Sequence, residues 1–143
     1  MRVSTILAAK GRSVTTVAPG AAVADVVATL AELRIGAVVV SDGRNGIAGI
    51  VTERDVVRAL AAHGASALER PVSDFMTRDV VTCHFEDTID EMMDRMTRGK
   101  FRHIPVVDGV ALAGIISIGD VVKHRLESIE AEASAMRDYI ATA

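Results

Sequence analysis

Gly49-Ile50-Val51-Thr52-Glu53-Arg54-Asp55 and Gly114-Ile115-Ile116-Ser117-Ile118-Gly119-Asp120 share one pattern: a glycine, two β-branched apolar residues, a hydroxyl residue and, three positions later, an aspartate. Each stretch reads as a strand running into the start of a helix. Working outward, each follows an apolar run, Ala37-Val38-Val39-Val40 or Ile104-Pro105-Val106-Val107, and an Asp-Gly turn, Asp42-Gly43 or Asp108-Gly109, so each half predicts a hairpin. Before the hairpins, Val23, Val26, Val27, Leu30 and Ile89, Met92, Met93, Met96 fall at i, i+3, i+4, i+7, the spacing of an amphipathic helix. Thr88 with Glu91 gives the second of these a capping-box start. Strands over Val14–Val17 and Val80–Cys83, with helices from Asp55 to about Ala62 and from Asp120 onward, complete two copies of β-α-β-β-α. The copies align with one extra residue in the first hairpin, near Arg44-Asn45.

A tandem duplication sets the expected fold class: α+β, two repeats packed sheet to sheet with pseudo-twofold symmetry. Each repeat alone is marginal in size for independent stability, so the 143 residues read as one module rather than two swinging domains. Its parts are repeat one at about 6–63, a linker at 64–72, repeat two at about 73–126 and a C-terminal amphipathic helix at about 120–141. Half the residues are apolar and 24% charged, which is ordinary globular usage and excludes global disorder. Sixteen Lys and Arg against 19 Asp and Glu leave a net charge of −3, so no basic excess is available to neutralise a nucleic-acid backbone. An aromatic content of 3% argues against a base-stacking platform for single strands. Cys83 is the sole cysteine, so no intramolecular disulfide forms and a reducing compartment is expected. No apolar run approaches the ~18 residues of a membrane span. A cytoplasmic protein without membrane attachment is the expectation.

The repeated hydroxyl-x-x-Asp motif admits two readings. A helix N-terminus presents unpaired N–H groups and a positive dipole end to an anion, and an ionised aspartate accepts hydrogen bonds from the hydroxyls of a ribose, so the motif suits a sugar and its phosphate. The same spacing describes a capping box, in which Thr52 with Asp55 and Ser117 with Asp120 satisfy their own helices.

Arg102-His103-Ile104-Pro105-Val106-Val107-Asp108, the two Gly-to-Asp stretches and the linker phrase Asp74-Phe75-Met76-Thr77 together resemble a tandem pair of cystathionine-β-synthase (CBS) domains, a Bateman module. The resemblance runs from about Ile6 to Leu126. It implies two clefts between the repeats that bind an adenosyl ligand: AMP in first place, with ADP, ATP, NAD(H) or S-adenosylmethionine as the other members of the class. It assigns ribose and phosphate to Thr52 and Asp55 in one cleft and to Ser117 and Asp120 in the other. It places Thr77, Val81 and Phe101, Arg102 and His103 opposite the first pair, and Lys10, Gly11, Thr16, Gly36 and Ala37 opposite the second. Arg102, His103, Arg54 and Lys10 are the nearest cations for phosphate by motif position. Gly36-Ala37 stands where the second repeat has Arg102-His103, so the two clefts are chemically unequal.

Nothing in the chain spells out a catalytic set. Cys83 and His84 are adjacent on an expected strand and point to opposite faces, and His63, His84, His103 and His124 lack metal-ligand spacing. Neither an enzyme, a catalytic cofactor nor a metal site is expected. The last segment carries Val122, Leu126, Ile129, Ala133, Met136 and Ile140 in alternating four- and three-residue steps, a heptad-like seam. The expected function is a non-catalytic sensor that binds an adenine nucleotide, forms a homodimer and acts on a downstream protein. The alternative is a constitutive protein-protein interaction module with vestigial clefts, acting through its dimer and its C-terminal helix.

Overall fold

The hairpins form where the two apolar runs of each half pair across their turns. A computed structural model describes residues 1–142. In repeat one, β2 (Ala37–Val40) pairs antiparallel with β3 (Gly49–Thr52), and the short β1 (Thr16–Val17) lies parallel to β2. The crossover from β1 to β2 is α2 (Val23–Leu33), which buries Val23, Val26 and Leu30. In repeat two, α4 (Ile89–Gly99) precedes the hairpin of β4 (His103–Asp108) and β5 (Ala111–Ser117). Each hairpin runs straight into a helix, α3 (Glu53–His63) or α5 (Ile118–Thr142).

The pairings display the duplication. Val40 faces Gly49 and Val106 faces Gly114, with eight residues (41–48) between the first pair and seven (107–113) between the second, so the extra residue is confined to the turn. Both first helices end on a cationic residue in the left-handed region, Arg34 at φ 55° and Lys100 at φ 57°.

The expected strand at Val80–Cys83 does not form. It is reduced to one bridge, Cys83 to Val106. In repeat one the Val39 N–H donates to the Thr15 carbonyl (3.1 Å); the register places Pro105 and Val81 at the equivalent positions, and proline has no N–H to give. The rung is lost and Val81 leaves the sheet edge, 43% exposed.

Two cores hold the molecule, and each borrows from the other half of the chain. One gathers Cys83, Ile89, Met92, Met96, Ile104, Val106, Ile116 and Val121 of repeat two around Val3, Ile6 and Leu7. These last three belong to α1 (Val3–Lys10), a helix ahead of β1 that the hydrophobic periodicity did not disclose. The other core joins Val23, Val26, Leu30, Val38, Val40, Val51 and Val56 of repeat one to Val72, with Phe75 and Met76 packed against it, all from the segment that leads into repeat two. That segment, which includes the linker at 64–72, folds as two 3-10 turns, Gly64–Glu69 and Val72–Asp74. The lead-in of each repeat therefore packs on the other repeat, and burying both apolar faces this way ties the two halves together.

Candidate functional site

Where each hairpin meets its helix, the hydroxyl residue caps the helix. The Thr52 hydroxyl accepts from the Asp55 N–H (3.3 Å) while Asp55 Oδ2 accepts from the Thr52 N–H (2.9 Å) and hydroxyl (3.2 Å). Ser117 and Asp120 repeat the arrangement: the Ser117 hydroxyl accepts from the Asp120 N–H (3.2 Å), and Asp120 Oδ2 accepts from the Ser117 N–H (2.9 Å) and hydroxyl (3.1 Å). The motif is thus a capping box in both copies. Capping uses chiefly Oδ2 in both copies, and the two differ in the further group that reaches the carboxylate.

In the first copy it is a neutral hydroxyl. Thr77 pairs with Ile50 through two backbone hydrogen bonds of 2.9 Å, and from there its hydroxyl donates to Asp55 Oδ1 at 3.2 Å. Gly49 permits this approach, because a Cβ there would lie 2.7 Å from Met76 Sδ and 2.8 Å from the Thr77 carbonyl oxygen. Asp55 is 8% exposed, and the neutral Thr77 hydroxyl brings no counter-charge to its carboxylate. In the second copy the partner is a cation: Lys10 Nζ lies 2.7 Å from Asp120 Oδ2 and also donates to the Ile115 carbonyl at 3.0 Å. Burial alone would raise the Asp120 carboxyl, but the Lys10 and Ser117 hydrogen bonds and the Lys10 charge outweigh it and hold the group below the usual carboxylate range.

A cleft of about 850 Å³ opens beside Asp55, between the repeats, a volume within the range of small-ligand sites. Thr52, Arg54, Asp55, Thr77, Val81, Phe101, Arg102 and His103, the residues expected at the first cleft, all line it. Gly36 and Ser117, expected at the second, line this same cleft, because β2 and β4 begin side by side: a Cβ on Gly36 would sit 3.0 Å from His103 Cε1. Lys10, Gly11, Thr16, Ala37 and Asp120 do not line it. Lys10 and Asp120 are turned onto each other, Ala37 is buried in β2, and Gly11 and Thr16 are exposed elsewhere. By register the counterpart of Val81 is Thr15, one residue before the expected Thr16.

Sequence reading missed Glu53, Arg58, Asp79 and Lys100 in the wall. Arg58 follows Arg54 by one helical turn, a signal that was available. The place of Lys100 depends on its left-handed φ, which no periodicity shows. Arg54, Arg58, Lys100 and Arg102 make the wall rich in cations, with Arg54 Nη1 held by the Lys100 carbonyl at 2.8 Å. Glu53, Asp55 and Asp79 are the acids among them. Burial lowers the His103 pKa, against the pull of Glu53 and Asp120 and with the push of Lys10 and Arg102, so the ring is neutral at pH 7 and offers one donor and one acceptor.

The family model for the CBS domain matches the chain twice, at residues 9–62 and 72–127. The chain belongs to the CBS domain family. A mitochondrial CBS domain-containing protein of Arabidopsis thaliana is 35% identical over 120 residues, 81% of this chain and 58% of that protein. The chain thus spans little more than half of that relative. The crystal structure of a CBS-domain-containing protein from Agrobacterium tumefaciens superposes with a TM-score of 0.85 at 49% identity, covering 87% of this chain and 99% of the other. A CBS domain protein from Pyrobaculum aerophilum, solved in complex with AMP, superposes with a TM-score of 0.73 at 28% identity, over 84% of this chain and 89% of the other. Among the described residues no helix is long and apolar enough to cross a membrane, and no cluster of His, Cys, Asp and Glu is arranged to hold a metal ion.

Proposed function

We propose that this CBS pair is a regulatory, non-catalytic module that binds an adenine nucleotide in the cleft lined by Thr52 and Asp55. One observation carries the reading: Val81, whose carbonyl loses its sheet rung to Pro105, and Asp55, whose carboxylate meets a neutral hydroxyl, both line one cavity. A free carbonyl accepts from the exocyclic amine of adenine, where the oxo group of guanine offers no donor. The carboxylate accepts from the ribose hydroxyls. Arg54, Arg58, Lys100 and Arg102 then stand for the phosphate, Arg as a bidentate fork and Lys as a point charge. The AMP complex of the Pyrobaculum relative supports AMP as the first ligand to test. Both repeats line the cleft, so a ligand that binds one relative setting of the halves better than another shifts their equilibrium and passes a signal to a downstream protein.

Calorimetric titration of the dialysed protein with AMP, ATP, NADH, S-adenosylmethionine and GMP tests this. Saturable AMP binding is expected, with GMP weaker and with Asp55→Ala and Asp55→Asn each losing about tenfold or more in affinity, the scale of a charged hydrogen bond. Asp55→Asn separates ligand binding from capping, since its amide oxygen still accepts from the Thr52 N–H. AMP affinity unchanged in both variants would sink the assignment.

A second reading rests on α5. Val122, Leu126, Ile129, Met136 and Ile140 are each at least 42% exposed, so the heptad seam is uncovered in the single chain. Under this reading a second copy pairs along it and the chain is a homodimeric interaction module. Sedimentation of the full chain against a chain lacking residues 127–143 decides it: a dimer lost on truncation supports the seam, and an unchanged profile rejects it.

A further inference from the structure

The two clefts began as copies, yet their polar anchors are treated oppositely. Beside Asp55 the carboxylate is met by the Thr77 hydroxyl and the Val81 carbonyl is free. In the other copy the equivalent carbonyl is consumed within the chain and the equivalent carboxylate is paired with a cation. The Thr15 carbonyl, counterpart of Val81, accepts the Val39 N–H at 3.1 Å. Asp120, counterpart of Asp55, is held by the Lys10 ammonium at 2.7 Å. The ammonium is placed by α1, whose last residue is Lys10 and whose Leu7 packs on β5 so closely that a Cβ on Gly114 would lie 3.0 Å from its methyl carbons. The Ile115 carbonyl fixes the same ammonium from β5. Two elements of repeat two's own core therefore hold the Lys10 ammonium against Asp120 Oδ2.

We infer that the Asp120 cleft is closed from within, with Lys10 as its resident occupant, so that the chain takes a single adenosyl ligand, beside Asp55. This rests on the nucleotide reading above and adds a stoichiometry to it. Lys10 decides which cleft is available: at Asp120 a ligand competes with a cation already hydrogen-bonded to the carboxylate, and the diol of a ribose carries no charge to match it.

The test is the stoichiometry of AMP binding by calorimetry on the full chain, its Lys10→Met variant and the double variant Lys10→Met with Asp55→Asn. Met keeps the length and apolar stem of a side chain that lies at the surface, so the fold is retained. The expected result is one AMP per chain in the original protein, a second and weaker site in Lys10→Met, and survival of that new site in the double variant. A single site in both the original chain and Lys10→Met, or two sites in the original chain, overturns the inference while leaving the nucleotide reading intact. Binding by Lys10→Met but not by the original chain upholds the closure at Asp120 and overturns the single site beside Asp55. Silence from both chains with every adenosyl ligand overturns both.

Discussion

Single side chains in the cleft carry charge states that neighbours set. His103 is kept neutral by burial, so its folded pKa lies below its unfolded one. A depressed histidine pKa contributes stability that is fully present above the unfolded value, ~6.5, and is lost as the pH falls through the window below it. The melting temperature is therefore expected to drop between pH 7.5 and pH 5.5, and His103→Gln to narrow that drop. An equal drop in the variant would mean that another group titrates there, and the charges facing His103, namely Glu53, Lys10, Asp120 and Arg102, are the ones to examine. Cys83 behaves oppositely to a reactive thiol. Burial, reinforced by Asp87 and opposed by Arg95, pushes it up to about 12, and the side chain is 0% exposed. Alkylating reagents are expected to leave it untouched in the native protein and to label it on unfolding. The core role of Cys83 was legible from its place in an apolar strand pattern. The neutrality of His103 was not, because it follows from burial against residues distant in sequence.

At the scale of elements, capping and close approach decide stability. Thr52→Ala removes the acceptor for the Asp55 N–H and is expected to lower unfolding free energy by about 1 kcal/mol in denaturant titration. Gly49→Ala and Gly114→Ala separate two kinds of tight glycine. The first pushes a methyl against a sulfur at 2.7 Å and a backbone oxygen at 2.8 Å and should cost about 1–3 kcal/mol, whereas the second meets the flexible end of Leu7 at 3.0 Å and should cost less. Equal losses at the two positions would contradict this account. The hairpins, the amphipathic helices and the capping spacing were readable because they depend on residues near one another in the chain. The strand expected at Val80–Cys83 failed for a reason the sequence also contains, a proline at the partner position, but one visible only once the register places Pro105 opposite the missing rung.

Over the whole molecule, the exchange of lead-in segments makes each repeat depend on the other. Ile6 is 0% exposed within the core of repeat two, and Ile6→Ala is expected to cost about 2–5 kcal/mol in denaturant titration although the residue lies ahead of β1, at the far end of the chain from that repeat. If the halves were independent, that variant would leave the unfolding of repeat two unchanged. A ligand bound between the repeats stabilises the native state by mass action, roughly 2.7 kcal/mol at a hundredfold excess over Kd, so AMP should raise the melting temperature of the chain. Failure of AMP to shift the melt at saturating concentration would count against the cleft as its site.

By itself the sequence determined the duplication, the helix-hairpin-helix order that both copies keep and the family, because hydrophobic period, turn residues and cap spacing act over a few residues. Tertiary structure alone decided that α1 joins the second core, that Gly36 and Ser117 open onto the cleft of Asp55, and that Asp120 is paired with the Lys10 ammonium while Asp55 meets the Thr77 hydroxyl. These are contacts between segments up to 110 positions apart. Their energies depend on distance and burial in space, and two copies with the same local motif take different partners because the chain before each copy is different.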